Sequence, residues 1–386
     1  VKLQEPALSK DCRVCGVPAL QEIGEFRLLP RVTSDCVPFR AGGRLLVCGV
    51  CGAAQSPADR QWFDEIDEIY RAYRSFQTYG GPEQQVLDAN TGELRPRSQV
   101  LLDCLCALPG FPRKGTVLDV GCGGGATLRA FSERGDWRLF GHEIDGRDLP
   151  LLRAIPGFEQ LFTGPLTEIG ATFDAVALVH SLEHFVDPLS ALQDLRTKVA
   201  PGGRLIAQVP DAGDNAFEYL VADHMVHFTA QSLSRLVARA GFSVECLSAK
   251  WVRKELSLTS RPSNGGPGKP GLSKAGDPIG DVRAQVRWLG RFLDAAAQAS
   301  HGVERFGLFG STVAATWLCA MLGDAVGFFV EEDANRVGRI HMNRPILSPE
   351  QVPPGSLVYV ALIPGLARRV AVRLANCGIH FQLPPE

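Results

Sequence analysis

The sequence predicts an α/β protein centred on a doubly wound, mostly parallel sheet, and three observations predict it. From Thr116 onward, short apolar runs rich in Val, Leu and Phe alternate with amphipathic helical stretches. The first of those runs ends in a glycine-rich turn, and the alternation resumes beyond a Gly/Pro/Ser-rich stretch, Arg261–Gly280. A length of 386 residues exceeds one ordinary core and calls for two to three domains. The predicted division is 1–60, a cysteine-bearing module; 61–115, a helical connector; 116–255, the central α/β domain; 256–281, a Gly/Pro-rich loop or linker; and 282–386, a smaller Rossmann-like domain.

Composition narrows the class. Hydrophobic content of 45%, charged content of 21% and a net charge of −2 describe a globular chain with no basic excess to grip nucleic acid or anionic membrane. No apolar run approaches the roughly 18–20 residues of a membrane span. The opening stretch VKLQEPALSKDC has no signal-peptide character, and of eleven cysteines four fall in two CxxC pairs. A reducing, cytoplasmic setting is expected, with neither nucleic acid nor membrane as partner; oligomeric state is not legible.

The elements follow in order. QWFDEIDEIYRAYRSFQTYGG reads as an aromatic-rich helical stretch and SQVLLDCLCAL as a second helix. VLDV is a buried strand, ATLRAFSERG a helix, and RLFGHEI and FDAVALV two more strands. LSALQDLRTKVA is an amphipathic helix stopped by PGG, and RLIAQVP the strand after it. In TAQSLSRLVARAG, Thr229 is placed to cap the helix and Gly241 lies beyond its end; FSVECL follows as a strand. After a helix near Val282–Ala299 come strands in ERFGLFG, AVGFFV and SLVYVALIP and helices in TVAATWLCAML and LARRVAVRLANCG. GLFGS, Gly307–Ser311, is too short for a dinucleotide fingerprint and is taken as a strand-to-helix turn.

Three motifs carry chemistry. VLDVGCGGG, Val117–Gly125, places Asp119 at a strand end and Gly121, Gly123 and Gly125 in a turn that bares the backbone before a helix N-terminus. Glu143 comes 22 positions after Gly121, near the spacing at which a carboxylate accepts both ribose hydroxyls. The turn suits S-adenosylmethionine (SAM), a dinucleotide or plain architecture. The knuckles Cys12-x-x-Cys15 and Cys48-x-x-Cys51 can supply four thiolates to a structural Zn²⁺, with Cys36 set aside as isolated. The third motif is DHMVHF, Asp223–Phe228, after the strand RLIAQVP; His224 is the candidate general base there, and Asp223 its neighbour.

With these residues in place, the stretch Val117–Leu247 resembles the class I SAM-dependent methyltransferases. Asp119 fills their acidic position before the glycine turn; HSLEH, His180–His184, and VAPGGRLIAQVP match later motifs in order. The whole layout further resembles the zinc-containing C-methyltransferases of nucleotide-linked deoxy-ketosugars. That resemblance implies SAM and a structural zinc as cofactors, a small-molecule acceptor such as a nucleotide sugar, and a C-terminal Rossmann-like domain. It also implies His224 as the base, Asp223 at the place of a family Glu, His180 as an active-site and SAM-side residue, and Tyr79 facing the substrate. Val221 and Ala222 stand where that family carries Tyr and His. The mechanism implied is removal of a proton beside a ketone by His224, with His180 or Tyr79 steadying the enolate oxygen. O- or N-methylation of a sugar or natural-product intermediate, and a SAM-binding scaffold without turnover, are the other readings.

Overall fold

The computed structural model describes residues 11–73, 83–87, 93–263 and 276–386. Its central sheet is built from β1 (Lys114–Val120), β2 (Asp136–His142), β3 (Phe158–Phe162), β4 (Phe173–Val179), β5 (Val199–Pro210), β6 (Phe242–Ser248) and β7 (Glu255–Pro262). The order across it is β3-β2-β1-β4-β5-β7-β6. All neighbours run parallel except β7, which is antiparallel to both β5 and β6. The order reverses between β1 and β4, which leaves a crevice beyond the carboxyl ends of those strands.

Local chemistry sets the helices. α1 (Ala126–Arg134) begins at Gly125, which is left-handed at φ +81°. α2 (Pro188–Arg196) starts with Pro188 at its first position and the Asp187 carboxylate accepting from the Ser190 N–H. α3 (Ala230–Arg239) carries a reciprocal capping box between Thr229 and Ser232, so the cap expected at Thr229 is present.

The expected 256–281 linker begins instead as β7, the strand between β5 and β6. Its polar Ser257, Thr259 and Ser260 are fully buried, and Gln208 Nε2 donates to Ser257 Oγ at 2.9 Å. Small hydroxyl residues inside a sheet lack the apolar signature of a buried strand, so the sequence pattern reads as loop. Ser257 is hydrogen-bonded, while Thr259 Oγ1 and Ser260 Oγ have no partner among the described residues.

Before the central sheet, Leu20–Glu22, Leu46–Cys48 and Ala54–Gln55 form a small antiparallel sheet. Its fourth strand, Val226–His227, comes from the segment after β5 and pairs with Ala54–Gln55. One apolar core joins Val14, Cys48, Trp62 and Ile66 to Leu118, Leu178 and Phe228, so this region packs directly on the central sheet.

The C-terminal part forms a second sheet from β8 (Phe306–Phe309), β9 (Phe328–Val330), β10 (Arg344–Leu347), β11 (Leu357–Val360) and β12 (His380–Gln382). The order is β10-β9-β8-β11-β12, all parallel, with Ile340–His341 antiparallel at the β10 edge. The long helix Pro278–Ser300 buries Val286, Leu289 and Phe292 in a core that holds Ile23 of the first region and Phe306 and Trp317 of the last. The Gly307–Ser311 turn links β8 to the helix Val313–Leu322. Among the described residues no helix is long and apolar enough to cross a membrane.

Candidate active site

The crevice has two faces. On the first, β1 ends in the glycine turn. Gly121 has φ +76°, and a Cβ there would fall 2.6 Å from Ser181 Cβ; Ser181 itself donates to the Val120 carbonyl at 2.6 Å. At Gly125 a Cβ would fall 2.5 Å from Ile155 Cδ1. Glycine is required at both points by backbone conformation and by closeness. Glu143, following β2, accepts from the Gly123 N–H at 3.0 Å and from the Ile144 N–H at 3.0 Å. Asp119 is buried and its Oδ1 has no hydrogen-bond partner. Burial first, and the Glu143 charge second, push its carboxyl up to about 8. A buried carboxylate without a donor fits a ligand that brings an ammonium group, as the methionine end of SAM does.

The second face is a cluster of histidines and carboxylates beyond β4 and β5. His180 sits in left-handed backbone at φ +54°, with Nδ1 3.5 Å from Glu183 and Nε2 3.0 Å from Glu255, the latter without the alignment of a hydrogen bond. Left-handed backbone is uncommon at any residue but glycine, although His adopts it more readily than most, and functional sites often retain it. His184 Nδ1 donates to the Asp223 carbonyl at 3.1 Å, and the Tyr70 hydroxyl lies 3.2 Å from the same nitrogen. His224 is buried, with Nδ1 hydrogen-bonded to Glu218 Oε1 at 2.5 Å; His227 Nδ1 reaches the same oxygen at 3.2 Å. The His184 and His224 rings meet edge to face with centroids 4.7 Å apart.

Electrostatics separates the two rings. For His224 burial opposes the charge, but the hydrogen-bonded Glu218 carboxylate, with Glu183 and Asp223 behind it, outweighs burial and holds the imidazole up at about 9. Glu218 feels the converse: burial would raise it, and His224 and His227 bring it down to about 2. His184 is lowered, first by burial and then by the charge on His224. The Glu218 carboxylate makes His224 the stronger base of the two rings, and burial makes its neighbour His184 the weaker.

Comparison with known proteins bears on both faces. A family model described as a methyltransferase domain matches residues 95–247, the span that holds the glycine turn and both histidine motifs. The central domain is a class I SAM-dependent methyltransferase. It is 29% identical over 182 residues to a ubiquinone biosynthesis O-methyltransferase of Aeromonas salmonicida, covering 41% of this chain and 76% of that protein. To an O-methyltransferase of Pyrenophora dematioidea it is 26% identical over 210 residues, 50% of this chain and 71% of the other. Among solved structures, an O-methyltransferase family protein from Burkholderia thailandensis aligns at 21% identity and a TM-score of 0.37, over 44% of this chain and 57% of its own.

In this methyltransferase domain the residues expected from sequence are not equally placed. Asp119, Gly121, Gly123, Gly125 and Glu143 come together on the first face. His180 and His224 stand on the second. Asp223 does not orient His224: its carboxylate accepts from the Ser34 N–H at 2.8 Å and the Ser34 hydroxyl at 2.6 Å, and lies 3.6 Å from His184. Glu218, which the sequence reading passed over, takes the orienting place. Tyr79 lies outside the described residues. Glu183, His184 and Tyr70 were also missed; Glu183 and His184 are adjacent in HSLEH, which was matched as a motif without assigning them roles.

The four cysteines of the two knuckles converge. Cys12 and Cys51 Sγ are 3.5 Å apart, Cys15 and Cys48 Sγ 3.5 Å apart, and all four sulfurs lie within 4.8 Å of one another. Cys36 is not in the cluster. Hydrogen bonding from Cys12 is the first cause that holds both Cys15 and Cys48 below the ordinary thiol range.

Proposed function

We propose that the methyltransferase moves the SAM methyl to a small-molecule acceptor seated over His180, His184 and His224, with His224 taking the acceptor's proton. The observation that carries this reading is the Glu218–His224 hydrogen bond, which fixes the ring through Nδ1 and, in the neutral form of the ring, leaves Nε2 for the acceptor; the rate is therefore expected to rise with pH toward about 9. Transfer from a sulfonium is an in-line displacement, so alignment and proton removal are the main contributions the protein makes. Glu143 is the group for the ribose hydroxyls and Asp119 the group for the ammonium of SAM. Our reading of the acceptor is a nucleotide-linked ketosugar, methylated at carbon through an enolate, with His180 or His184 donating to its oxygen and Tyr79 a further candidate. A second reading, O-methylation, is favoured by the named activity of the two relatives.

Solvent deuterium separates the two. With a nucleotide-linked ketosugar, exchange at the carbon beside the ketone and a carbon-bound methyl in the product are expected. A methyl found on oxygen, with no exchange, overturns the carbon reading and leaves O-methylation.

We further propose that Cys12, Cys15, Cys48 and Cys51 hold a structural Zn²⁺, with residues up to 60 as the module built on it and 282–386 as a separate C-terminal domain. Four converging sulfurs make a closed tetrahedral donor set, which supplies folding energy and no step of the reaction. One zinc per chain and a lower melting temperature in Cys48→Ser are expected. Freshly purified protein without zinc refutes the assignment.

A further inference from the structure

Glu183 is the least explained group in the cleft. Its side chain is 1% exposed, and neither carboxylate oxygen has a hydrogen-bond partner. A buried carboxylate in that state costs several kcal/mol unless a cation or donor arrives, on the order expected for an unpaired ion. Among the described residues no Lys or Arg pairs with Glu183, Glu218 or Asp223; the cationic neighbours of these three carboxylates are histidines.

The two rings beside Glu183 are prepared in the same way. His184 gives its Nδ1 proton to the Asp223 carbonyl, and His224 gives its own to Glu218. Each hydrogen bond fixes the ring and aims Nε2 away from its partner, which is how metal-ligating histidines are held; an ion that binds there takes the place of any Nε2 proton. No hydrogen bond to either Nε2 exists among the described residues. One nitrogen of each ring and one Glu183 oxygen lie within 4.8 Å of one another, a span that small side-chain rotations close onto bonds of about 2.0–2.2 Å.

We propose that Glu183, His184 and His224 bind a divalent transition-metal ion of the Zn²⁺ or Co²⁺ class, and that the ion competes with proton removal by His224. Two imidazoles and a carboxylate select such ions over Ca²⁺ or Mg²⁺, which prefer all-oxygen shells. The ion and the acceptor's proton need the same Nε2, so filling the site inhibits turnover. The inhibitory half rests on the proposed role of His224; the binding half does not.

The test is a Co²⁺ titration of the full chain, read by calorimetry and by visible absorption. Nitrogen- and oxygen-ligated Co²⁺ gives weak d–d bands without the sulfur charge-transfer absorption of a four-cysteine site. One such site is expected, weakened at least tenfold in both Glu183→Gln and His184→Gln, with turnover falling as it fills. Circular dichroism checks that each variant is folded, and either variant alone suffices. Absence of the d–d signal, or affinity unchanged in a folded variant, overturns the site. Full turnover with the site filled overturns the competition. Persistent turnover in His224→Ala refutes the base, while Co²⁺ binding to the unaltered protein still reads the site on its own.

Discussion

The two faces of the cleft are built in opposite ways. The face proposed for SAM comes from one unbroken stretch, Asp119 to Glu143, in which a strand, a glycine turn, a helix and the end of the next strand set every group. The face proposed for the acceptor is assembled from segments far apart in the chain. Ser34 and Tyr70 come from the first region, His180–His184 from beyond β4, Glu218–His227 from beyond β5, and Glu255 from the start of β7. A site made by one βαβ unit is specified by local spacing, and a site made by five segments is specified by the fold that gathers them.

The first way to sharpen that contrast is Glu218→Ala. Removing the carboxylate leaves two buried imidazoles without their acceptor and frees the ring of His224. Turnover is expected to fall about 10²-fold with SAM affinity unchanged, as for loss of a group that orients a catalytic histidine. Glu218→Gln, which keeps a hydrogen-bond acceptor, should recover part of that rate. Equal loss of SAM affinity would show that the two faces are not separable.

A smaller effect is expected on the local face. A valine at Gly123, where φ is +47°, strains the turn and crowds the ligand's approach. SAM affinity should drop at least tenfold, about 1.4 kcal/mol, with little change in turnover at saturating SAM. Unchanged affinity by calorimetry would place SAM elsewhere.

The last effect concerns Asp119 and stability. Its carboxyl is raised to about 8, above the ordinary value of 3.8, so the fold favours the protonated form. That contribution is complete below about pH 4 and is lost as pH rises through about 8. Asp119→Asn removes the ionisation, and its melting temperature should gain on the parent by several degrees between pH 5 and pH 8, up to about 4 kcal/mol at about 1.4 kcal/mol per pH unit. SAM binding should weaken in the same variant. A pH-independent difference in melting would contradict the buried-carboxylate account.

How much was legible in the sequence follows the same division. The glycine turn and the strands on either side of it stand where the sequence places them, with Glu143 beside the turn, because spacing and apolar runs are local signals. The cysteine knuckles converge as their two CxxC spacings suggested, although a long loop separates them. β3 was missed because FEQLF is short and half polar, and β7 because its buried hydroxyls resemble a loop. On the acceptor face, His224 was singled out by its place after β5. Asp223 was taken as its partner by adjacency, but backbone direction turns that carboxylate to Ser34. Glu218 lies six positions earlier in a short 3₁₀ turn, and no periodicity connects it to His224. Val226–His227 belongs to a sheet whose other strands lie about 170 to 205 positions upstream, a pairing visible only in the fold.

The most direct test of the two-face account measures SAM affinity and single-turnover methyl transfer together in Glu143→Ala and His224→Ala. The account predicts a crossed result. Glu143→Ala should lose at least tenfold in SAM affinity and keep its rate at saturating SAM, while His224→Ala should keep its affinity and lose roughly 10²–10⁴-fold in rate. A His224 variant that binds SAM poorly, or that transfers methyl at the parent rate, would contradict it.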